Sequence, residues 1–183
     1  ILAVPDPSGP ELYVGGTDVT QNTDVISYWK TDGDGYSRTG DESDYYFSVS
    51  YNSDTESFTI AFNWIPTITS FHQEEVSGET INYGIFCTTA LNIHMNDYSS
   101  CTFFLADESH PTYGIYSSDV LTIKGSGQLN VYGSDSNPQI GAGICGVNGV
   151  TIEGGIIYAS DFSYGIAENN GPITVSGGEV FGS

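Results

Sequence analysis

The chain has 183 residues, the size of one ordinary domain. Its 3 Lys and Arg stand against 23 Asp and Glu, which gives a formal net charge of −20 at pH 7. Because no basic patch is available to replace the counterions of a phosphate backbone, this balance excludes nucleic acid as a direct partner. No apolar run is long enough for a transmembrane helix, so we expect no membrane insertion. At 38% hydrophobic and 13% aromatic residues, the chain still carries enough apolar side chain for a folded core.

The first 80 residues show strand and turn signals without a repeat. We interpret residues 1–10 as a leader or linker and residues 11–80 as a β-structured cap. A strand is expected around Leu12–Val14, and a hairpin from Tyr45–Tyr51 and Phe58–Trp64, with Trp64 in the core. A cap of this kind covers the exposed core and the unpaired strand edge at the end of a solenoid.

One acidic segment of the cap alternates Asp and Gly, from Asp32 to Gly35. This pattern resembles the start of an EF-hand loop, but the flanking helices are missing and the twelfth position is Ser43 instead of Glu. Two interpretations stay open. Asp32 and Asp34 either ligate calcium in a looser loop or belong to a solvated acidic turn.

From about residue 81 the chain repeats itself. The repeat begins with Gly-Ile, preceded by Tyr or Ala, and continues with an apolar-polar-apolar triplet and then a glycine-marked turn into a third apolar segment. Its four Gly-Ile motifs end at Ile85, Ile115, Ile144 and Ile166, at intervals of 30, 29 and 22 residues. The four triplets are Leu91–Ile93, Leu121–Ile123, Val150–Ile152 and Ile173–Val175.

Three short strands per repeat, with no helical segment between them, predict an all-β fold: a right-handed parallel β-helix, or β-solenoid. We expect residues 81–183 to form about four coils, continuous with the N-terminal β-hairpin cap. The Ile of each Gly-Ile motif and both apolar triplet positions then form inward ladders. A β-sandwich is the alternative, although it would not need this registration of like residues.

The last coil ends at Ser183, directly after its third strand. No further segment is present to cover that coil, so either the natural protein continues or two such ends meet in an end-to-end homodimer.

Acidic residues follow the third strand of successive coils, at Asp107, Asp135 and Asp161. If the three carboxylates stack at the strand spacing of about 4.8 Å, they repel one another, and calcium would relieve that repulsion. The alternative is a set of solvated turns, in which Asp is an ordinary residue.

Strand alternation places several aromatic residues on outward positions of the coils. They are Phe86, Tyr116, Tyr132, Tyr158 and Phe181, together with Phe104. Sugar rings lay their C–H faces on aromatic rings, and Asn130 is placed to bind hydroxyl groups, so we predict a glycan-binding column along the axis. Packing under a loop or at an oligomer contact is the alternative. Tyr83, Tyr113 and Tyr164 share the parity of the inward Ile and are expected at corners or in the interior.

The sequence offers little for catalysis. Lys124 is expected in register with His94 and Glu153, which would suit a polysaccharide lyase, but a surface lysine is the simpler interpretation. No pair of carboxylates stands out for glycoside hydrolysis. Cys87, Cys101 and Cys145 lack metal-ligand spacing and are expected as buried free thiols. We therefore do not expect an enzyme.

The segments Leu121–Val131 and Val150–Gly155, with the recurring Gly-Ile, resemble the β-solenoid repeats of extracellular proteins from clostridia and related gut or rumen bacteria. Some of those proteins are calcium-containing carbohydrate-binding domains that recognise cellulose and acidic sugars. The segment Leu12–Val19 and the hairpin are similar to the capping segment before such repeats. The resemblance implies a secreted or cell-surface location.

Taken together, the sequence predicts non-catalytic binding of an acidic or plant cell-wall polysaccharide at the bacterial surface, assisted by calcium. The first alternative is a structural or adhesive module that binds another protein. The second is a polysaccharide lyase.

Overall fold

The computed structural model describes residues 9–21, 24–33, 35–64, 67–97, 99–105, 107, 109–133 and 139–182. Within these ranges the chain is all β, which confirms the predicted class. None of the residues in these ranges forms a helix that is long and apolar enough to cross a membrane. The predicted leader lies largely outside the described residues, as do the proposed calcium ligands Asp34 and Asp135.

The N-terminal part forms eight short strands. They are β1 (Leu12–Val14), β2 (Thr17–Asp18), β3 (Ser27–Asp32), β4 (Gly35–Thr39), β5 (Phe47–Asn52), β6 (Ser57–Phe62), β7 (Thr67–Ile68) and β8 (His72–Val76). The predicted hairpin is present as β5 and β6, which pair antiparallel with Val49 opposite Ile60. Its Asn52–Ser57 connection carries the Asn, Ser and Asp residues that favour tight turns.

Four coils of three strands follow. Coil 1 is β9 (Glu79–Cys87), β10 (Ala90–Met95) and β11 (Ser100–Phe104); coil 2 is β12 (Thr112–Ser117), β13 (Leu121–Gly125) and β14 (Gln128–Tyr132). Coil 3 is β15 (Gln139–Gly146), β16 (Val150–Ile152) and β17 (Ile156–Ser160); coil 4 is β18 (Phe162–Glu168), β19 (Ile173–Val175) and β20 (Glu179–Gly182). The first strands of the coils pair in parallel as sheet A, the second as sheet B and the third as sheet C.

The observed register confirms the parallel β-helix and the predicted ladders. On sheet A, Ile115 pairs with Ile85 on one side and with Ile144 on the other. On sheet B, Leu121 pairs with Leu91 and Val150. Because each strand pairs in parallel and in register with its equivalent in the next coil, like residues lie directly over one another.

The parallel ladders begin inside the segment that the sequence marks as cap. Strand β6 pairs parallel with β10, and β7 pairs parallel with β11, so sheets B and C start before residue 81. Antiparallel strands then close this end: β5 pairs with β6, and β1 pairs with β9. The cap therefore covers the edges of sheets A and B by continuing them.

The interior is one apolar cluster that runs from the cap to Phe162 at the start of coil 4. Ile115, Leu121 and Ile152 are fully buried in it. In coil 4, Ile166 and Val180 are partly buried against this cluster, whereas the sheet B residues Ile173 and Val175 are 46% and 52% exposed. The core is therefore open at coil 4 in the described chain.

The glycine of each Gly-Ile motif has a packing role. A Cβ on Gly84 would lie 2.6 Å from the carbonyl oxygen of Gly114, and one on Gly143 would lie 2.9 Å from that of Gly165. At Gly114 the added carbon would lie 2.2 Å from Cγ1 of the sheet C residue Val131. Sheet A thus approaches the side chains of sheet C so closely that only a hydrogen fits at this position.

We expect Gly114→Ala to destabilise the fold by about 1–3 kcal/mol, because the new methyl group overpacks the interior against both Val131 and the Gly143 backbone. Urea unfolding followed by tryptophan fluorescence measures the change. Gly40→Ala is the matched control, since a Cβ there meets nothing within 4 Å, and its stability should stay within about 0.5 kcal/mol of the parent. Equal stability of the two variants would contradict this account of the motif.

Candidate functional site

The outer face of sheet C presents three rows of side chains along the helix axis, and we call it the sheet C face. Its rows, read from coil 1 onward, are Ser100, Gln128, Ile156 and Glu179; Thr102, Asn130, Tyr158 and Phe181; and Phe104, Tyr132 and Ser160. Strand alternation produces the rows, since every second residue points away from the interior.

Four aromatic rings on this face form two stacked pairs. Phe104 and Tyr132 have ring centroids 5.5 Å apart and planes inclined by 27°, whereas Tyr158 and Phe181 are 4.8 Å apart and inclined by 13°. Phe104 is 52% exposed and Phe181 is 45% exposed. The outward placement predicted for Tyr132, Tyr158, Phe181 and Phe104 is confirmed. We call these four residues the aromatic strip.

The arrangement differs from the single column expected from the sequence. The first pair occupies one row on coils 1 and 2, and the second pair occupies the neighbouring row on coils 3 and 4. Parallel rings 4.8 Å apart must overlap face to face, because side-by-side rings in one plane need more separation. Each pair therefore offers ring edges to solvent along the strip.

The exposure predicted for Phe86 and Tyr116 is wrong, because both side chains are about 1% exposed. They belong to a second apolar cluster, separate from the interior, on the other face of sheet A. Strand β8 supplies part of its cover, since the ring of His72 lies 4.9 Å from that of Phe86. Tyr83 and Tyr113 lie in this outer cluster too, so their expected interior position is also wrong, while Tyr164 is 66% exposed.

The predicted role of Asn130 in binding sugar hydroxyls does not fit its surroundings. The residue is 5% exposed. Its side-chain nitrogen donates to Thr102 Oγ1 at 3.1 Å and to Ser100 Oγ at 3.4 Å, and its oxygen accepts from Gln128 Nε2 at 2.7 Å. Because both amide protons are used, Asn130 ties neighbouring coils together under the rings instead of facing a ligand.

A polar groove flanks the sheet C face at the corner with sheet B, with a volume of about 500 Å³. Its lining is Asp97, Ser99, Ser100, Ser126, Gly127, Gln128 and Ile156. Ser126 donates a hydrogen bond to Asp97 within it. Hydroxyl, amide and carboxylate groups thus lie at the edge of the sheet C face. The groove includes Ser100 and Gln128 of the first row, which the aromatic strip does not occupy.

Asp107 and Asp161 lie on coils 1 and 3, and Asp135, which the calcium prediction places between them, lies outside the described residues, so that site stays a prediction. Asp161 comes one residue after β17, and Asp107 comes three residues after β11, two coils away. The Asp107 carboxylate accepts hydrogen bonds from Asn82 Nδ2 at 2.7 Å, His110 Nδ1 at 2.9 Å and the Ser109 amide at 2.8 Å. Asp161 accepts one from Ser160 Oγ at 2.9 Å.

Asp32, the remaining described candidate, is exposed on the β3–β4 hairpin. Within the described ranges, no three His, Cys, Asp or Glu side chains lie close enough together to hold an ion. Asp34, the residue predicted to ligate calcium together with Asp32, lies outside the described residues, so this calcium site stays a prediction.

Two further sequence expectations concern reactive side chains. Lys124 is the register partner of His94 on sheet B, as the lyase alternative requires, and it is exposed to solvent. Cys87, Cys101 and Cys145 are free and buried, as predicted. Burial raises the pKa of the Cys87 and Cys145 thiols to about 12, which disfavours the nucleophilic thiolate.

Trp64 is a further aromatic residue whose predicted position is wrong. Expected in the core, it is 54% exposed just after β6, where the chain leaves sheet B. Alternation continues the inward positions Phe58, Ile60 and Phe62 to Trp64, but β6 ends at Phe62, so the pattern no longer applies there.

The acid stability of the fold should depend on Asp107. Hydrogen bonds from His110, Ser109 and Asn82 lower its pKa from the ordinary value of 3.8 to about 2. The stabilising effect of the ionised carboxylate is therefore complete above pH 4 and is lost as the pH falls toward 2. We expect the stability difference between the parent and Asp107→Asn to shrink over that interval in urea unfolding.

Asp54→Asn serves as the control, because Asp54 is exposed in the β5–β6 turn. Its stability difference from the parent should stay small throughout the titration. A difference for Asp107→Asn that stays constant from pH 5 to pH 2.5 would contradict the assigned hydrogen-bond effect.

Comparison of the chain with protein families, curated proteins and solved structures gives no match. A functional proposal therefore rests on the geometry described above.

Proposed function

We propose that the protein is a non-catalytic polysaccharide-binding module and that its sheet C face is the binding surface. The observation that carries the proposal is the aromatic strip: two in-register ring pairs that point outward, with Phe104 and Phe181 exposed and Tyr132 and Tyr158 half-buried. Apart from Ile156, the remaining positions of this face are polar. A single exposed aromatic residue needs no explanation, but a contiguous group rimmed by polar residues marks an interaction site.

The length and rigidity of the strip suit an extended ligand. It follows coils 1 to 4, so it spans three strand spacings of about 4.8 Å each. Asn130 is hydrogen bonded to Gln128 on its own strand and to Thr102 on the equivalent strand of coil 1, which holds the surface in one shape before a ligand arrives. Preorganisation of this kind lowers the entropic cost of binding.

The neighbouring groove supplies the polar half of a sugar site. Ser99, Ser100 and Gln128 line it together with Asp97, and Gln128 also belongs to the first row of the sheet C face. Glycan sites combine aromatic surface with a few convergent polar groups that fix the orientation of the ligand. Calcium binding stays a separate prediction, because two of its candidate ligands, Asp34 and Asp135, lie outside the described residues.

Affinity gel electrophoresis tests the proposal with cellulose derivatives, xylan, starch and polygalacturonate embedded in the gel. At least one polymer should retard the parent protein. Tyr158→Ala should weaken that retardation, because truncating a central aromatic contact costs about 2 kcal/mol, roughly a 30-fold loss of affinity. Phe104→Ala should act in the same direction.

Tyr164→Ala is the matched control, since Tyr164 is 66% exposed but lies on sheet A. It should bind as the parent does. Retardation that survives both strip substitutions would place the site elsewhere, and lack of retardation by every polymer would overturn the proposal.

A further inference from the structure

Within the described residues, the Tyr132 ring is stacked on one face and has only a small side chain in register with it on the other. Phe104 stacks on the side toward coil 1. On the side toward coil 3 its register partner is Ser160, whose side chain is too small to cover a phenol ring. The stacked rings therefore end at Tyr132 and leave a recess on the sheet C face, which we call the step. The Tyr132 ring forms one side of the step and Ser160 forms its base.

A carboxylate borders this step. Asp161 follows Ser160 directly and accepts a hydrogen bond from its Oγ at 2.9 Å. The residue adopts φ = 67°, a left-handed conformation that Asp tolerates better than most side chains. A carboxylate has about four acceptor positions, so Asp161 retains acceptor capacity for further donors, and hydroxyl groups are such donors.

The charges of this face select against an acidic ligand. The described residues of its three rows include no Lys, Arg or His, and their one charged member is Glu179. The chain's three cations all lie on strands of sheet B: Lys30 on β3, Arg38 on β4 and Lys124 on β13. With a net charge of −20, the protein repels a polyanion. At physiological salt this repulsion acts over a Debye length of roughly 8 Å.

We infer that the ligand of the sheet C face is an uncharged polysaccharide, and that one of its sugar rings stacks on the open face of Tyr132 above Ser160. The Asp161 carboxylate accepts hydrogen bonds from hydroxyl groups of that sugar. This inference rests on the proposed function and assigns its ligand class and one subsite. Asp161, expected from the sequence to be a calcium ligand, acts here on the sugar directly.

Two substitutions test the subsite in the same gels. Ser160→Phe continues the ring ladder and covers the open face of Tyr132, so retardation by the neutral polymer should fall at least tenfold. Asp161→Asn keeps a residue that tolerates positive φ but removes the charge. It should weaken neutral binding roughly three- to tenfold, because charge-assisted hydrogen bonds are stronger than neutral ones.

Thr151→Phe is the control for Ser160→Phe, since Thr151 is an outward residue on sheet B of the same coil. Circular dichroism and thermal unfolding verify that each variant folds. Should Ser160→Phe fail to fold, Asp161→Asn decides alone, because an acidic ligand would bind this variant more tightly while an uncharged one binds it more weakly.

The polymer panel separates the two proposals. The inference is supported if a neutral glucan or xylan retards the protein and neither a chelator nor 0.5 M salt changes that retardation. This salt concentration is about five times the ionic strength at which charges interact over about 10 Å, so charge interactions are screened. Retardation by polygalacturonate alone, lost in Tyr158→Ala, overturns the ligand class and leaves the proposed function standing. Retardation by no polymer overturns both. Full neutral binding by folded Ser160→Phe overturns the subsite.

Discussion

In-register parallel pairing of successive coils is the constraint on which the rest of the structure depends. Each strand hydrogen bonds to its equivalent one coil away, so any residue type that recurs along the sequence becomes a continuous column in space. Ile85, Ile115 and Ile144 illustrate the result in the interior, where the column is fully buried. The same in-register pairing forms the aromatic strip on the outer face, where it brings the rings of neighbouring coils into contact.

Two sequence patterns predict most of the fold: inward and outward residues alternate along each strand, and the same residue types recur in successive repeats. The ladders through Leu121 and Ile123 follow from repeated apolar-polar-apolar triplets. Alternation fails at Gly114, because this residue and Ile115 both face inward, and Tyr113 is turned to the outside. A residue without a side chain permits that irregularity, and no counting rule based on period two anticipates it.

The candidate site was predictable on sheet C and not on sheet A, for a reason that lies outside the repeats. Tyr116 and Tyr158 both point away from the interior. Tyr116 is buried in the second apolar cluster, to which the non-repeating strands β1 and β8 contribute Tyr13 and Val76. Which face of a solenoid is covered depends on such irregular segments. The acidic candidates show the same limit, since Asp107 is engaged by Asn82, a residue 25 positions away.

The three cysteines of this chain are buried without a disulfide. Cys101 lies in the interior cluster and Cys145 in the outer one, so neither contributes a covalent cross-link to stability. The folded state is held by backbone ladders and apolar packing, and its formation requires no oxidant. Recombinant production in a reducing bacterial cytoplasm should therefore yield the native chain directly. Small extracellular domains that are cross-linked by disulfides commonly need disulfide isomerases or refolding from oxidised aggregates, and this chain should need neither.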